Sequence, residues 1–394
     1  MPFVGSRRRP SGASDPSRGA WARLVVTAVL AVACSSCLHG RILYFGAPTM
    51  SAPTYFPSRP VQTTRPAPLR TASEVRVEVT ASARATYASF DDLLKTNRTR
   101  AFVWIHDDAV VYERYFDRVT ATTQLPSFSM SKTFAATLVG CAVADGWIGS
   151  VDDRLVSYVP ELADKPGYRD VTVDHLLRMT SGIDFNEESY AGAALYYSTD
   201  LRARMYAYDV TRPPGSHYLY GSLGIQLLWD VINRRLGGKT VTQYFAERVW
   251  SPMGAAHPAA WSLDSRSSGI EKLADGFSAT ARDHARIGLL YLHGGTMDGN
   301  RVLASDWVRD SLTPDPVAGI VQTTDGNVRR GKYQWFLTLD GRAYFAKGYR
   351  GQYVFVVPDR RMVFVRFGDD YGDIDWTGLF VRLADSLGHG GPKP

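Results

Sequence analysis

The sequence predicts an α+β fold in which an antiparallel sheet is built from both chain ends, is flanked by helices and carries an inserted helical lobe. Two runs rich in β-branched and aromatic residues, 101–106 and 110–116, surround a short polar turn and predict a hairpin. Similar runs recur near the C-terminus, at 333–339, 353–357 and 362–367. Between them, residues 133–310 are mainly helical with breaks at glycine and proline. Strands joined as hairpins, without a β-α-β repeat, indicate one antiparallel sheet.

The remaining elements follow from local pattern. A helix is predicted over 90–96, before the first hairpin, and an amphipathic run over 376–387 predicts the last helix. Residues 46–74 are rich in proline, serine and threonine and lack helical periodicity, so they predict a linker or a strap along the domain surface. We therefore expect one folded domain over residues 75–390.

The first 45 residues predict an export signal or an anchor. Residues 1–33 hold five arginines and one acid, a charge of +4 out of the total of +6, so the basic balance gives no case for nucleic-acid binding. An apolar run, 24–33, follows these arginines and is too short to span a membrane. Cleavage after Ala33, lipid attachment at Cys34 and an uncleaved anchor reaching residue 45 are the alternatives. Each places the protein in a bacterial cell envelope, and two of them attach it to a membrane.

The cysteines and histidines do not predict a metal or cofactor site. Two of the three cysteines, Cys34 and Cys37, lie at the processing region, and Cys141 lies in an apolar stretch typical of a buried thiol. There is no disulfide framework, no zinc-ligand spacing, no phosphate-binding loop and no dinucleotide fingerprint. We expect chemistry that needs no cofactor.

The first candidate for chemistry is the pair Ser129 and Lys132 at the start of an apolar helix. Residues three apart share a helix face, so the lysine amine can lie beside the serine hydroxyl. A serine needs an adjacent base to become a nucleophile, and a buried lysine can act as that base. Backbone N–H groups at a helix start can also stabilise an oxyanion. Because the S-x-x-K pattern is short, it also arises by chance.

The flanking residues decide between these interpretations. The stretch 126–134, PSFSMSKTF, resembles the active-site box of class C β-lactamases, related esterases and D-aminopeptidases, and 6-aminohexanoate-oligomer hydrolases. Residues 171–183, VTVDHLLRMTSGI, resemble a second family segment that ends in Thr180-Ser181-Gly182 and supplies packing and a turn. The resemblance covers about residues 75–390 and implies a penicillin-binding-protein or β-lactamase fold. It also implies acyl transfer through Ser129.

The family's second box, Y-x-N, falls on Tyr220-Gly221-Ser222, after a Pro-Gly pair and before a helix. The resemblance implies that Tyr220 relays a proton to the leaving group. Ser222 replaces the usual asparagine and reaches less far, although it still offers a donor and two acceptor lone pairs. We expect Ser222 to face the substrate.

The third box departs most from the family pattern. Ala346-Lys347-Gly348 stands where β-lactamases carry K-T-G, so the lysine falls one position late. The resemblance implies that the Tyr349 N–H joins the Ser129 N–H as oxyanion donor, and that Lys347, Gly348 and Gln352 contact substrate. Gly348 would let substrate approach the strand closely, and Lys347 is alternatively a solvated strand-end charge. Loss of the first-position lysine argues against a dedicated β-lactamase.

Two further stretches carry charged residues. The loop 184–190 contains acids and Tyr190, for which the resemblance implies a substrate-side position, whereas a solvated acidic loop is the alternative. In the stretch 274–290, Thr280 is a candidate helix N-cap with Asp283 three residues later. Arg282, Asp283 and Arg286 are interpreted as structural ion pairs.

These observations predict a serine hydrolase that cleaves a small ester or amide through Ser129, Lys132 and Tyr220. Two alternatives remain. One is a penicillin-binding sensor that is acylated but barely turns over. The other is an envelope protein with a degenerate site, which the altered third box allows.

Overall fold

The computed structural model describes residues 37–78 and 86–387. The chain divides into two compact units, Met1–Ala47 and Pro48–Pro394. The predicted signal and Cys34 lie outside the described residues. In the first unit the structure describes helix α1 (Leu38–Phe45), where the Cys37 thiol caps the helix by accepting a hydrogen bond from the Gly40 N–H. Within the described residues, no helix is both long and apolar enough to cross a membrane.

The second unit contains the other helices and all described strands. Its helices are α2 (Phe90–Thr96), α3 (Ser131–Ala144), α4 (Val173–Leu177), α5 (Tyr190–Tyr197), α6 (Leu201–Met205), α7 (Ser222–Asn233), α8 (Val241–Phe245), α9 (Ala281–Leu292), α10 (Ser305–Leu312) and α11 (Trp376–Ser386). Its strands are β1 (Ser58–Val61), β2 (Arg70–Thr71), β3 (Thr99–His106), β4 (Ala109–Tyr115), β5 (Leu125–Pro126), β6 (Ala259–Ser262), β7 (Phe277–Ala279), β8 (Thr296–Met297), β9 (Asn300–Arg301), β10 (Ile320–Thr323), β11 (Gly326–Arg330), β12 (Phe336–Leu337), β13 (Tyr344–Gly348), β14 (Gln352–Val357) and β15 (Met362–Gly368).

The main sheet is built from both ends of this unit, as the sequence predicts. Its strand order is β10-β11-β12-β13-β14-β15-β3-β4-β2. C-terminal β15 pairs with N-terminal β3, with Phe364 opposite Trp104. The pairs are antiparallel except β2 with β4, which is parallel. The predicted α+β class and antiparallel sheet are confirmed.

Side chains alternate between the two faces of this sheet and form two cores. On one face α9 lies close to β14 and β15, because a Cβ on Gly288 would lie 2.8 Å from Val363 and 3.0 Å from Val354. On the other face Phe364 stacks on Phe380 of α11, with ring centroids 5.4 Å apart. The helical lobe packs on the first face, which is the face that carries the candidate site.

A second sheet has the strand order β1-β6-β7-β5, and its strand β5 ends directly before the candidate site. It contains strands too short for the sequence to predict, and one of them comes from the proline-rich segment. The hairpin of β10 and β11 is also absent from the sequence prediction. The middle of the chain is therefore mainly helical as expected, with short strands added.

Residues 48–61, called the strap below, lie along the larger unit. The strap contributes β1, which pairs with β6. Phe56 is 7% exposed and packs against Tyr196, with ring centroids 5.4 Å apart. At the start of the strap, the Arg350 Nε donates to the Pro48 carbonyl over 2.6 Å. The segment predicted as a linker or strap thus contacts the domain at several points.

Candidate active site

Ser129 lies on a tight turn between β5 and α3. The turn is a 3₁₀ helix, Phe128–Met130, and Phe128 adopts a left-handed φ of +46° although it is bulky and buried. Such a conformation costs about 1–3 kcal/mol and persists only where neighbours enforce it. Here the Ser127 hydroxyl donates to the Phe277 carbonyl (2.7 Å), and the Ser131 hydroxyl accepts from the Phe277 N–H (3.0 Å). The turn is therefore fixed to β7.

Lys132 lies directly beside this serine. Its Nζ is 2.8 Å from the Ser129 Oγ and 3.1 Å from the Ala274 carbonyl oxygen. Lys132 is 2% exposed, whereas Ser129 is half-buried and reachable from solvent. This is the geometry that the three-residue spacing predicts, and it gives the hydroxyl a buried amine as its hydrogen-bond partner.

Tyr220 lies next to this pair, directly before α7. The Lys132 Nζ lies 5.3 Å from the centroid of the Tyr220 ring. The segment before Tyr220 is held by a hydrogen bond from the Leu219 N–H to the Met179 carbonyl (3.0 Å) and by one from Gly215 to Thr180 (2.7 Å). The Thr180-Ser181-Gly182 turn therefore supports the Tyr220 segment, and the structural interpretation of that turn agrees with the structure.

Ser222 does not have its hydroxyl directed at an open site. Its N–H donates to one oxygen of Glu187 (2.6 Å) and its hydroxyl donates to the other (2.7 Å). Ser222 is 2% exposed. The residue expected to face substrate is thus paired with an acid of the 184–190 loop. The sequence gives no signal for this pair beyond the presence of the acid.

Gly348 allows a close approach of the nucleophile turn. A Cβ at this position would lie 2.2 Å from the Ser127 carbonyl oxygen. The turn therefore fills the space left by the missing side chain, and substrate contact with the Gly348 backbone stays a prediction. As a result the end of β13 lies against the turn, and the Phe128 and Tyr349 rings meet edge to face at 5.9 Å.

Two backbone N–H groups lie at this junction, that of Ser129 in the 3₁₀ turn and that of Tyr349 directly after β13. These are the two donors that the resemblance assigns to the oxyanion. Their position at the meeting of β13 and the Ser129 turn is compatible with that assignment.

The Lys347 side chain is held in a buried ion pair, and both of its predicted interpretations are wrong. Its side chain is 9% exposed, forms an ion pair with buried Asp325 and donates to the Thr324 hydroxyl over 2.5 Å. Burial lowers the pKa of Lys347, and the Asp325 carboxylate opposes that shift. Because side chains alternate along β13, Lys347 points to the opposite face from Ala346 and Gly348.

Gln352 is also a structural residue and not a substrate contact. It is fully buried, and its amide nitrogen donates to the carbonyls of Tyr349 (3.0 Å) and Gly368 (2.8 Å). Its amide oxygen accepts from the Gly368 N–H. Gln352 therefore fixes the turn that carries Tyr349, which corrects the expectation of direct binding.

The acids and Tyr190 are placed as follows. Tyr190 is 51% exposed and begins α5. Asp200 caps α6 by accepting from the Ala203 N–H, which is a structural function. Asp275, next to the Ala274 carbonyl that holds Lys132, has its pKa raised by burial to about 6, while Lys272 and Lys132 favour its charged form. The sequence does not single out Asp275.

Other candidates are part of the framework. Thr280 caps α9 by accepting from the Asp283 N–H (3.1 Å), and Asp283 forms an ion pair with Arg286, as predicted. Arg282 forms an ion pair with Glu113. Cys141 is fully buried. Within the described part of the chain, no cluster of histidines, cysteines and acids could hold a metal ion.

Comparison with known proteins gives consistent matches. A family model described as beta-lactamase matches residues 90–372. The 6-aminohexanoate-dimer hydrolase of Paenarthrobacter ureafaciens is 27% identical over 312 residues, covering 73% of this chain and 77% of its own. A Bacillus anthracis structure provisionally named a 6-aminohexanoate-dimer hydrolase has a TM-score of 0.73 at 22% identity, covering 84% of this chain and 92% of its own. A family VIII carboxylesterase structure has a TM-score of 0.60 at 20% identity, covering 80% and 99%.

The family match covers well over half of the chain and includes Ser129, Lys132, Tyr220 and the third box. The two solved structures share the fold. The resemblance stated from the sequence is therefore confirmed. The chain belongs to the beta-lactamase family of serine hydrolases.

Proposed function

We propose that the protein hydrolyses a small linear amide or ester through an acyl-enzyme on Ser129. The observation that carries the proposal is the 2.8 Å contact between the Lys132 amine and the Ser129 hydroxyl, with the lysine buried and the serine accessible. A nucleophile and its base within hydrogen-bond reach are what covalent catalysis by serine requires.

The proposed reaction has two halves. Lys132 acts as the base and takes the hydroxyl proton of Ser129 while the oxygen attacks the substrate carbonyl carbon. The N–H groups of Ser129 and Tyr349 stabilise the oxyanion. The tetrahedral intermediate then expels the alcohol or amine, which receives a proton from Tyr220 or Lys132. Water attacks the acyl-enzyme by the same route and releases the acid and free Ser129.

Linear substrates are favoured over β-lactams because the site lacks the usual cationic anchor. Ala346 occupies the first position of the third box, and the neighbouring Lys347 is used in its ion pair with Asp325. The named activities of two similar proteins, hydrolysis of 6-aminohexanoate dimers and of carboxylic esters, fall in the same substrate range.

The test is labelling and turnover with the full chain. We expect a fluorophosphonate probe to label the protein and p-nitrophenyl esters to be hydrolysed, with both activities lost in Ser129→Ala. Ser181→Ala, in the supporting turn, is the matched control and keeps the labelling. No labelling and no ester hydrolysis would favour a degenerate site. Stable labelling by a fluorescent penicillin without turnover would favour the sensor.

We also propose that the protein works in the bacterial cell envelope. The support is the sequence of the first 33 residues, in which arginines precede an apolar run that ends at Cys34. Cell fractionation, with the mass of the mature N-terminus, tests this proposal. A cytoplasmic protein that starts at Met1 would contradict it.

A further inference from the structure

The geometry points to Glu187 as a positioning residue that holds Tyr220 in place for proton transfer, by binding Ser222 with both carboxylate oxygens. This inference rests on the proposed function, because it concerns the same site. Glu187 has no place in the reaction described above.

The first argument is that both carboxylate oxygens of Glu187 bind Ser222. The two oxygens of Glu187 accept from the Ser222 N–H (2.6 Å) and from the Ser222 hydroxyl (2.7 Å). Hydrogen bonds to a charged acceptor are about twice as strong as neutral ones. Ser222 begins α7, a helix of 12 residues, so the carboxylate also lies where the helix dipole favours a negative charge.

The second argument is that this contact fixes one side of Tyr220. On the N-terminal side, the Leu219 N–H is bonded to the Met179 carbonyl. On the C-terminal side, a Cβ on Gly221 would lie 3.0 Å from the Phe185 ring, so the backbone packs closely on the loop that carries Glu187. The Glu187 contact at Ser222 adds two hydrogen bonds on the same side. Together they hold the C-terminal side of the Tyr220 segment against the 184–190 loop.

The third argument is that packing holds the backbone of Glu187 in place. A Cβ on Gly192 would lie 1.9 Å from the Glu187 carbonyl oxygen, so helix α5 packs directly on this residue. The neighbouring Phe185 is 3% exposed and meets Tyr208 edge to face at 5.1 Å. Because the backbone of Glu187 is held in place, its carboxylate can hold Ser222 in one position.

Two variants separate positioning from charge. Glu187→Gln removes the charge but keeps both contacts, because the amide oxygen can accept from the Ser222 N–H while the amide nitrogen donates to its hydroxyl. Glu187→Ala removes both contacts. Glu188→Ala is the matched control, since Glu188 is the adjacent acid, is exposed, and has no contact with the Tyr220 box among the described residues.

We expect Glu187→Ala to lower kcat on a linear amide such as an acyl anilide, whose amine must be protonated to leave, about 10- to 100-fold with KM changed less than about threefold, since loss of orientation acts on the chemical step. Glu187→Gln should retain kcat within about threefold, and Glu188→Ala should match the parent. Rates are divided by the concentration of active sites, which is measured by titration with the fluorophosphonate probe. A loss of folded protein is then not mistaken for a loss of kcat.

Three results would overturn the inference. One is an unchanged kcat per active site in Glu187→Ala. Another is an equal loss in Glu187→Gln and Glu187→Ala, which would assign the effect to charge. The third is a loss of titratable sites with normal kcat in the remainder, which would make Glu187 a folding residue only. The proposed function fails separately, if Ser129→Ala keeps its activity.

Discussion

At the scale of single residues, Asp275 is a carboxyl beside the site whose pKa lies above its ordinary value. Burial raises its pKa to about 6 from the ordinary 3.8. A carboxyl whose pKa is higher in the folded state binds its proton more tightly there. Its contribution to stability is therefore fully present below about pH 4 and is lost as the pH rises through about 6.

Asp275→Asn removes that loss, because the amide stays neutral at every pH. We expect the free energy of unfolding of the variant, relative to the parent, to increase between pH 4 and pH 7 by about 1–3 kcal/mol. Thermal unfolding from pH 4 to 8 measures it. Asp164→Asn, with a side chain that is 97% exposed, is the control and should show no such change. Parallel stability curves for parent and Asp275→Asn would contradict the assignment.

The residues that the sequence predicts correctly are those whose geometry is local. Ser129 and Lys132 lie one helical turn apart, so their contact follows from spacing alone. Lys347 and Gln352 are misassigned because a box pattern does not reveal which face of a strand a side chain occupies. The contact of Glu187 with Ser222 is missed because the two residues lie 35 positions apart and only the folded chain brings them together.

At the scale of elements, the end of β13 and the Ser129 turn form one unit through Gly348. We expect Gly348→Ala to lower the free energy of unfolding by about 1–3 kcal/mol, since the Ser127 carbonyl must move away from the new methyl group. That movement displaces the Ser129 turn and the Tyr349 N–H. The rate of fluorophosphonate labelling should therefore fall at least tenfold, which corresponds to a barrier that is higher by about 1.4 kcal/mol.

The matched control for this variant is Gly341→Asn. Gly341 has a φ of +72° with no other atom near its missing Cβ, and asparagine tolerates that conformation. Its stability and labelling rate should stay close to those of the parent. If Gly348→Ala behaves in the same way, the close approach at Gly348 is not what fixes the turn.

Long elements follow from the sequence better than short ones. Helix α2, the β3–β4 hairpin, β14, β15 and α11 lie where their patterns predict them. Strands β5 and β7 are missed because two or three residues carry no usable periodicity. Strand β10 is missed because its side chains are largely solvent-exposed, so no hydrophobic alternation marks it.

At the scale of the whole molecule, the main sheet closes only when β15, from the C-terminal part, pairs with β3, from the N-terminal part. Such long-range pairing is slow compared with local contacts. The α+β class could be predicted because strand-rich blocks at both ends leave few other sheets to build. The strand order could not, since the sequence does not show that β10 and β11 extend the sheet edge.

The strap has a practical consequence for producing this enzyme. The family match begins at residue 90, and a recombinant chain trimmed to residues 90–372 would lack the strap and α11. Tyr196 would then lose Phe56, and Arg350 would lose the Pro48 carbonyl beside the turn that carries Tyr349.

We expect the chain 48–394 to express in soluble form and to accept the probe, and the chain 90–372 to precipitate. Soluble yield and labelled fraction of the two chains measure the difference. An affinity tag therefore belongs ahead of Pro48, and a boundary taken from the family match alone would cut through the folded enzyme.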